Sequence, residues 1–138
     1  MRNIDEITGL IVDAAVKLHK RLGPGLLESV YEMILEKDLM AAGLSVERQK
    51  PISFDYEGIQ FTDAFRIDLL VENLVIVELK STEQYSPVHS KQVLTYLKLM
   101  NLPVGLLLNF GAPTMKDGMR RIVNGYEAGS LLPVINKN

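Results

Sequence analysis

Apolar positions recur every three to four residues at the start of the chain. Ile4, Ile7, Ile11, Ala14, Ala15, Leu18 and Leu22 fall on one stripe, which predicts a helix over about residues 3–21. Asn3 followed by Glu6 has capping-box spacing, and Gly23-Pro24-Gly25 ends the pattern. A second helix is predicted over about 26–42. Val30, Ile34 and Leu39 form its apolar stripe, with Met33 and Leu35 beside it and Gly43 at its C′ position. The period then changes to two. Residues 44–50, 52–56 and 59–62 read as short strands, broken by Pro51 and by a turn at Glu57-Gly58. Phe65–Val71 and Leu74–Lys80 read as two more, the latter almost continuously apolar, as central strands are. Ser86 as N-cap and Pro87 at N1 open a third helix, whose expected core contacts are Val88, Val93, Leu97 and Met100. Pro103–Phe110 reads as a buried strand and 117–124 as a last strand or short helix.

This alternation predicts an α/β fold. The length of 138 residues suits one domain spanning 1–138, with its core over about 4–124 and a tail over about 129–138. No apolar run approaches a bilayer span and no signal-peptide core is present, so the expectation is a soluble, cytoplasmic protein without a membrane role. The absence of cysteine excludes disulfides, thiolate zinc sites and cysteine nucleophiles. With two histidines only, any metal here is a hard cation on oxygen ligands. The net charge of −2 counts mildly against a tight non-specific binder of nucleic acid and leaves room for an enzyme with a local basic rim.

Charges inside apolar strands carry the chemistry. Glu78 and Lys80 are two apart on a strand, so they share a face. Asp68 interrupts Phe65-Arg66-Ile67-Asp68-Leu69-Leu70. Two acids on adjacent strands suit one Mg²⁺ or Mn²⁺, with the Leu79 backbone carbonyl as a further ligand. Lys80 then stabilises transition-state charge or orients water. The register is a condition. A two-residue turn at Glu72-Asn73 puts Asp68 and Glu78 on opposite faces, whereas a three-residue connection Glu72-Asn73-Leu74 sets them directly opposite each other. Gln92 and Tyr96, four apart on the third helix, offer a polar pair on one face. Glu28, in the first turn of the second helix, is favourable with the helix dipole on any reading. His19 reads as a core or boundary residue, Tyr31 as packing with its hydroxyl tied down, and Arg48, Lys50, Lys91, Lys98, Arg120 and Arg121 as either a basic rim or an ordinary solvated surface.

Gly25-x-x-Glu28-x-x-Tyr31, Glu47-Arg-Gln-Lys50, Arg66-Ile-Asp68, Val75-Ile-Val-Glu78-Leu-Lys80, Ser86-Pro-Val-His89 through Gln92, Thr95-Tyr96-Leu97, Gly105–Phe110 and Lys116-Asp-Gly118 together resemble the bacterial GxxExxY family of the PD-(D/E)XK nuclease superfamily, over about residues 4–124. The resemblance implies a restriction-endonuclease-like core of order αβββαβ, with a mixed four-stranded sheet flanked by helices. It implies Glu28 as the acid of the first core helix, bound to metal directly or through water. Asp68 becomes the first motif acid, Glu78 and Lys80 the paired motif, and Gln92 and Tyr96 the helix motif of the exonuclease-like branch. Arg66-Ile67 departs from the proline that the superfamily name places before the Asp. The implied activity is Mg²⁺-dependent phosphodiester hydrolysis on nucleic acid, DNA before RNA. The alternative is a nuclease-fold module that binds or regulates without cutting. A homodimer is a third reading, for which the sequence marks no interface.

Overall fold

The computed structural model describes residues 2–125, so the tail over 129–138 lies outside the described residues. Helix α1 spans Ile4–Leu22 and α2 Glu28–Ala41. Strands β1 (Val46–Tyr56), β2 (Ile59–Val71) and β3 (Val75–Lys80) follow. Helix α3 (Pro87–Met100), β4 (Val104–Asn109), a single turn α4 (Met115–Gly118) and β5 (Met119–Val123) complete the order. One five-stranded sheet runs β1-β2-β3-β4-β5, antiparallel except for the parallel β3–β4 pair. The four strands expected for the core are β1 to β4. The last segment resolves into both alternatives, the turn α4 and then β5, which extends the sheet by a fifth strand.

Strand parity sorts the core. Leu69, Val71, Val75, Val77, Leu79, Leu106 and Leu108 face α1 and α2 in the main cluster. Leu70 and Ile76 face the other way, onto Val93 and Leu97 of α3. Both sheet faces are thus covered, as the continuously apolar β3 and β4 require. Asn3 caps α1 as expected: its side chain accepts from Glu6 N–H (2.8 Å) and donates to the Glu6 carboxylate (3.1 Å). Ser86 holds the N-cap position of α3, but its hydroxyl makes no capping bond.

Two helix faces differ from expectation. The buried stripe of α2 is Tyr31, Leu35 and Leu39, with Glu32 beside it, while Val30 and Met33 meet solvent. In α3, Val88 is 61% exposed because it lies in the first turn, beyond the sheet that Val93 and Leu97 cover. The short strands about Pro51 also merge. Pro51 sits within β1 opposite Arg66; among the described residues β1 pairs only with β2, so the missing N–H is tolerated on the edge. The hairpin turns at Glu57 (φ 49°) and Gly58 (φ 80°), the left-handed pair whose twist matches the flanking strands. A bulge follows between Ile52 and Phe54, where three residues of β2 face one of β1.

Candidate functional site

The α1–α2 turn sets the entry to the site. Gly25 adopts φ 111°, a region that side chains oppose. The Tyr31 hydroxyl donates to the Gly23 carbonyl and accepts from Leu26 N–H. Its ring stacks on Phe110 at 4.3 Å and 11°. Two positions of the Gly-x-x-Glu-x-x-Tyr motif therefore build the turn. The third, Glu28, stands exposed in the first turn of α2 and lines a shallow hollow with Leu26, Leu27, Ser29 and Ser81, directly after Lys80. His19 is buried against the same region, bonding the Ala112 carbonyl at 2.9 Å.

The β2–β3 connection is the three-residue loop the acids require. Val71 pairs with Val75, Leu70 with Ile76 and Leu69 with Val77. Glu72 and Asn73 take left-handed conformations (φ 55° and 53°), and Leu74 N–H returns to the Val71 carbonyl. The next step of that register sets Asp68 opposite Glu78. There the recorded ladder ends and the side chains take over. Glu78 accepts the Asp68 N–H at 2.7 Å, and Asp68 accepts the Leu79 N–H at 2.8 Å. Each carboxylate thus reaches across to the other strand's backbone.

Glu78 is only 7% exposed, and its carboxyl is pushed up to about 8. Burial is the main cause and the Asp68 charge the second; the Asp68 N–H and the Lys80 ammonium pull the other way. Lys80, two residues on, has the same strand parity, is half-buried and pairs in register with Asn109. Tyr96 stacks on Phe65 (4.1 Å, 6°), and burial together with the charges of Glu78 and Asp68 raises its phenol. Gln92, one turn earlier on α3, is exposed and makes no recorded contact with the acids. Arg66 is exposed and joins none of the ion pairs among the described residues.

Sequence reasoning missed two members of this cluster. Glu32, 5% exposed, lies one helical turn inside Glu28 on the same face of α2. The Gln49 amide nitrogen lies 3.0 Å from both Glu32 oxygens and 3.1 Å from Asp68 Oδ1. Burial chiefly raises the Glu32 carboxyl; the Gln49 bond lowers it and the Asp68 charge raises it further. A signal for Glu32 existed, since it neighbours Tyr31 and flanks the Leu35 stripe. Gln49 gave none: extending the hairpin register without its bulge sets Gln49 opposite Arg66, whereas the bulge shifts it opposite Asp68. The basic residues do not form one rim. Arg48 turns to Glu32 (3.7 Å) and Glu36 (3.5 Å), Lys50 to Glu47, and Arg121 to Asp5, while Arg120 lies over the Tyr85 ring.

The donors at the strand ends are hard oxygens, the chemistry that Mg²⁺ or Mn²⁺ selects. Among the described residues, no three acidic or imidazole side chains stand ready to wrap one ion. Two carboxylates with water completing the shell still fit a cation that keeps much of its hydration. No helix among the described residues is long and apolar enough to cross a membrane. No curated protein and no solved structure matches the chain. The sequence profile of the PD-(D/E)XK nuclease superfamily matches residues 5–122, and superfamily members generally use divalent metal ions on nucleic acid. With a mixed sheet flanked by helices of the restriction-endonuclease type, the chain belongs to the PD-(D/E)XK nuclease superfamily.

Proposed function

We propose that this chain is a nuclease of the GxxExxY type that hydrolyses phosphodiester bonds, in DNA before RNA, with Mg²⁺ or Mn²⁺ held by Asp68 and Glu78. The observation that carries this reading is the exchange of contacts at the β2–β3 ends: Asp68 and Glu78 reach across to each other's strand, with Lys80 two residues on. The Leu79 carbonyl serves as a further oxygen ligand, and Glu28 as an outer acid acting directly or through water. When bound, such an ion neutralises phosphate charge and acidifies water.

The chain's own residues do the rest. Asp68, pinned by the Leu79 N–H, offers a carboxylate whose orientation is fixed before any ligand arrives. Glu78 is pushed up to about 8 by burial and by Asp68, so it holds a proton near neutral pH that it would give up on meeting a cation. Lys80 supplies positive charge where phosphorane charge develops or orients the attacking water. Tyr96, whose phenol feels the charges of both acids, and Gln92, one turn earlier on α3, are the polar pair assigned to a phosphate or the attacking water. A cytoplasmic location and a homodimer belong to the same proposal; light scattering checks the second.

The test is cleavage of single- and double-stranded DNA and RNA with and without Mn²⁺, with Lys80→Ala alongside. Metal-dependent cleavage lost in the variant is expected. Activity that survives without metal or in Lys80→Ala removes this mechanism. Nucleic-acid binding without Mn²⁺ binding at millimolar ion leaves the non-cutting module.

A further inference from the structure

Gln49 does something a strand residue has no structural need to do. Its φ is 52°, a left-handed conformation uncommon outside glycine, in the middle of an eleven-residue strand. The ladder pairs Arg48 with Leu69 and Lys50 with Ile67 but records no pair for Gln49. Ile67 and Leu70 both pack in the α3 cluster while Leu69 between them packs with α1 and α2, so the alternation of β2 breaks at Asp68. The Gln49 side chain links an acid of α2 to the acid at that break.

The surroundings of that side chain are those of a cation. One nitrogen faces three carboxylate oxygens at 3.0, 3.0 and 3.1 Å. All three are acceptors, which fixes the amide orientation with nitrogen towards the acids. An amide NH₂ carries two hydrogens, so three acceptors share two donors. A positive group nearby, Arg48, stands 3.7 Å from Glu32 and divides its guanidinium with Glu36. A neutral amide thus stands between two acids, where a full positive charge interacts better.

We propose that Gln49 is a positioning residue whose amide keeps the place of a divalent ion between Glu32 and Asp68 and gives way when the ion binds. This rests on the metal-site reading of Asp68 and Glu78. It adds Glu32 to the acids that meet the ion and assigns Gln49 to the ion-free state. The same contacts hold together two acids that would otherwise repel each other.

The test uses the whole chain, with Mn²⁺ alone as probe and no substrate. Gln49→Gly removes the amide and suits the left-handed backbone. Without ion it is expected to melt below the wild type. With Mn²⁺, calorimetry is expected to find binding about tenfold tighter than wild type, the equivalent of about one net hydrogen bond that the ion no longer breaks. The ion-induced rise in melting temperature is expected to be correspondingly larger in the variant. Unchanged or weaker Mn²⁺ binding in a folded Gln49→Gly overturns the proposal and leaves Gln49 a structural pin. Should that variant fail to fold, Glu32→Gln decides: weaker Mn²⁺ binding supports the proposal and unchanged binding overturns it. If wild type and variants all fail to bind at millimolar ion, the metal-site reading itself falls. Wild-type binding without the gain in Gln49→Gly sinks this inference alone.

Discussion

The β2–β3 pair has two ends that behave oppositely. At the turn end, Val71 meets Val75 and Leu69 meets Val77, with backbone bonded to backbone and all four side chains buried. One residue on, carboxylates stand in for backbone carbonyls, and the Asp68 and Leu79 N–H groups are satisfied by acids. The difference lies in what each end asks of its environment. A closed ladder satisfies its own polar groups and requires only apolar cover. The open end satisfies its N–H groups through two acids held close together, where the proposed cation would lower their repulsion. The stable part and the part proposed to react are one strand pair, separated by a single residue step.

Four measurements probe that contrast. Lys80→Ala strikes the open end, where cleavage is expected to fall roughly a hundred- to a thousandfold, the scale seen when one preorganised electrostatic group is lost. Mn²⁺ binding by calorimetry and the urea midpoint are expected to stay near wild type; a collapse of the midpoint would show that the two ends are not separable. Leu69→Ala strikes the closed end and is expected to cost about 2–5 kcal/mol in urea unfolding, since Leu69 is fully buried in the main core.

The third measurement is pH. Glu78 titrates higher folded than unfolded, so between its ordinary range near 4.5 and its folded value of about 8 the unfolded chain holds fewer protons. Ion-free stability is expected to fall as pH rises through that window, by a few kcal/mol at most, and Glu78→Gln to flatten the slope. Mn²⁺ binding is expected to tighten over the same window, by up to about tenfold per pH unit if one proton leaves. A flat profile in both experiments removes the proton from the open end. The smallest effect belongs to Glu72→Ala beside the turn. Glu72 accepts from the Ser45 hydroxyl (2.6 Å) and N–H, which lower its carboxyl, but it lies at the surface. A loss within the range of ordinary surface substitutions is expected, larger above pH 5 than at pH 3.

Much of this was readable in the chain. Asn3 and Glu6 announced α1, and the apolar run from Val75 made β3 central. The demand that Asp68 and Glu78 share a pocket selected the three-residue loop that the structure contains. What escaped reading depended on geometry that no local pattern encodes. Val30 and Met33 competed with Tyr31 and Leu35 for the α2 stripe, because a helix with apolar residues on several sides does not declare which side is covered. That ambiguity hid Glu32. The bulge at Ile52 and Phe54 moved the far half of the hairpin by two residues and brought Gln49 to Asp68. Pro51 looked like a break because edge placement, which forgives it, is a property of the whole sheet.

One feature at the mouth constrains how a long polymer can approach. Asn109 straps Thr82 twice, accepting its N–H and donating to its carbonyl, both at 3.0 Å. Gly111 lies so close to the Thr82 backbone that a methyl group there would collide with it. A segment clipped front and back to the floor of the fold cannot swing as a flap. A nucleic acid seated beside Lys80, as the proposed function requires, would meet that anchored Thr82 backbone and have to lie along it, so capture would turn on alignment and charge rather than on the opening of a door.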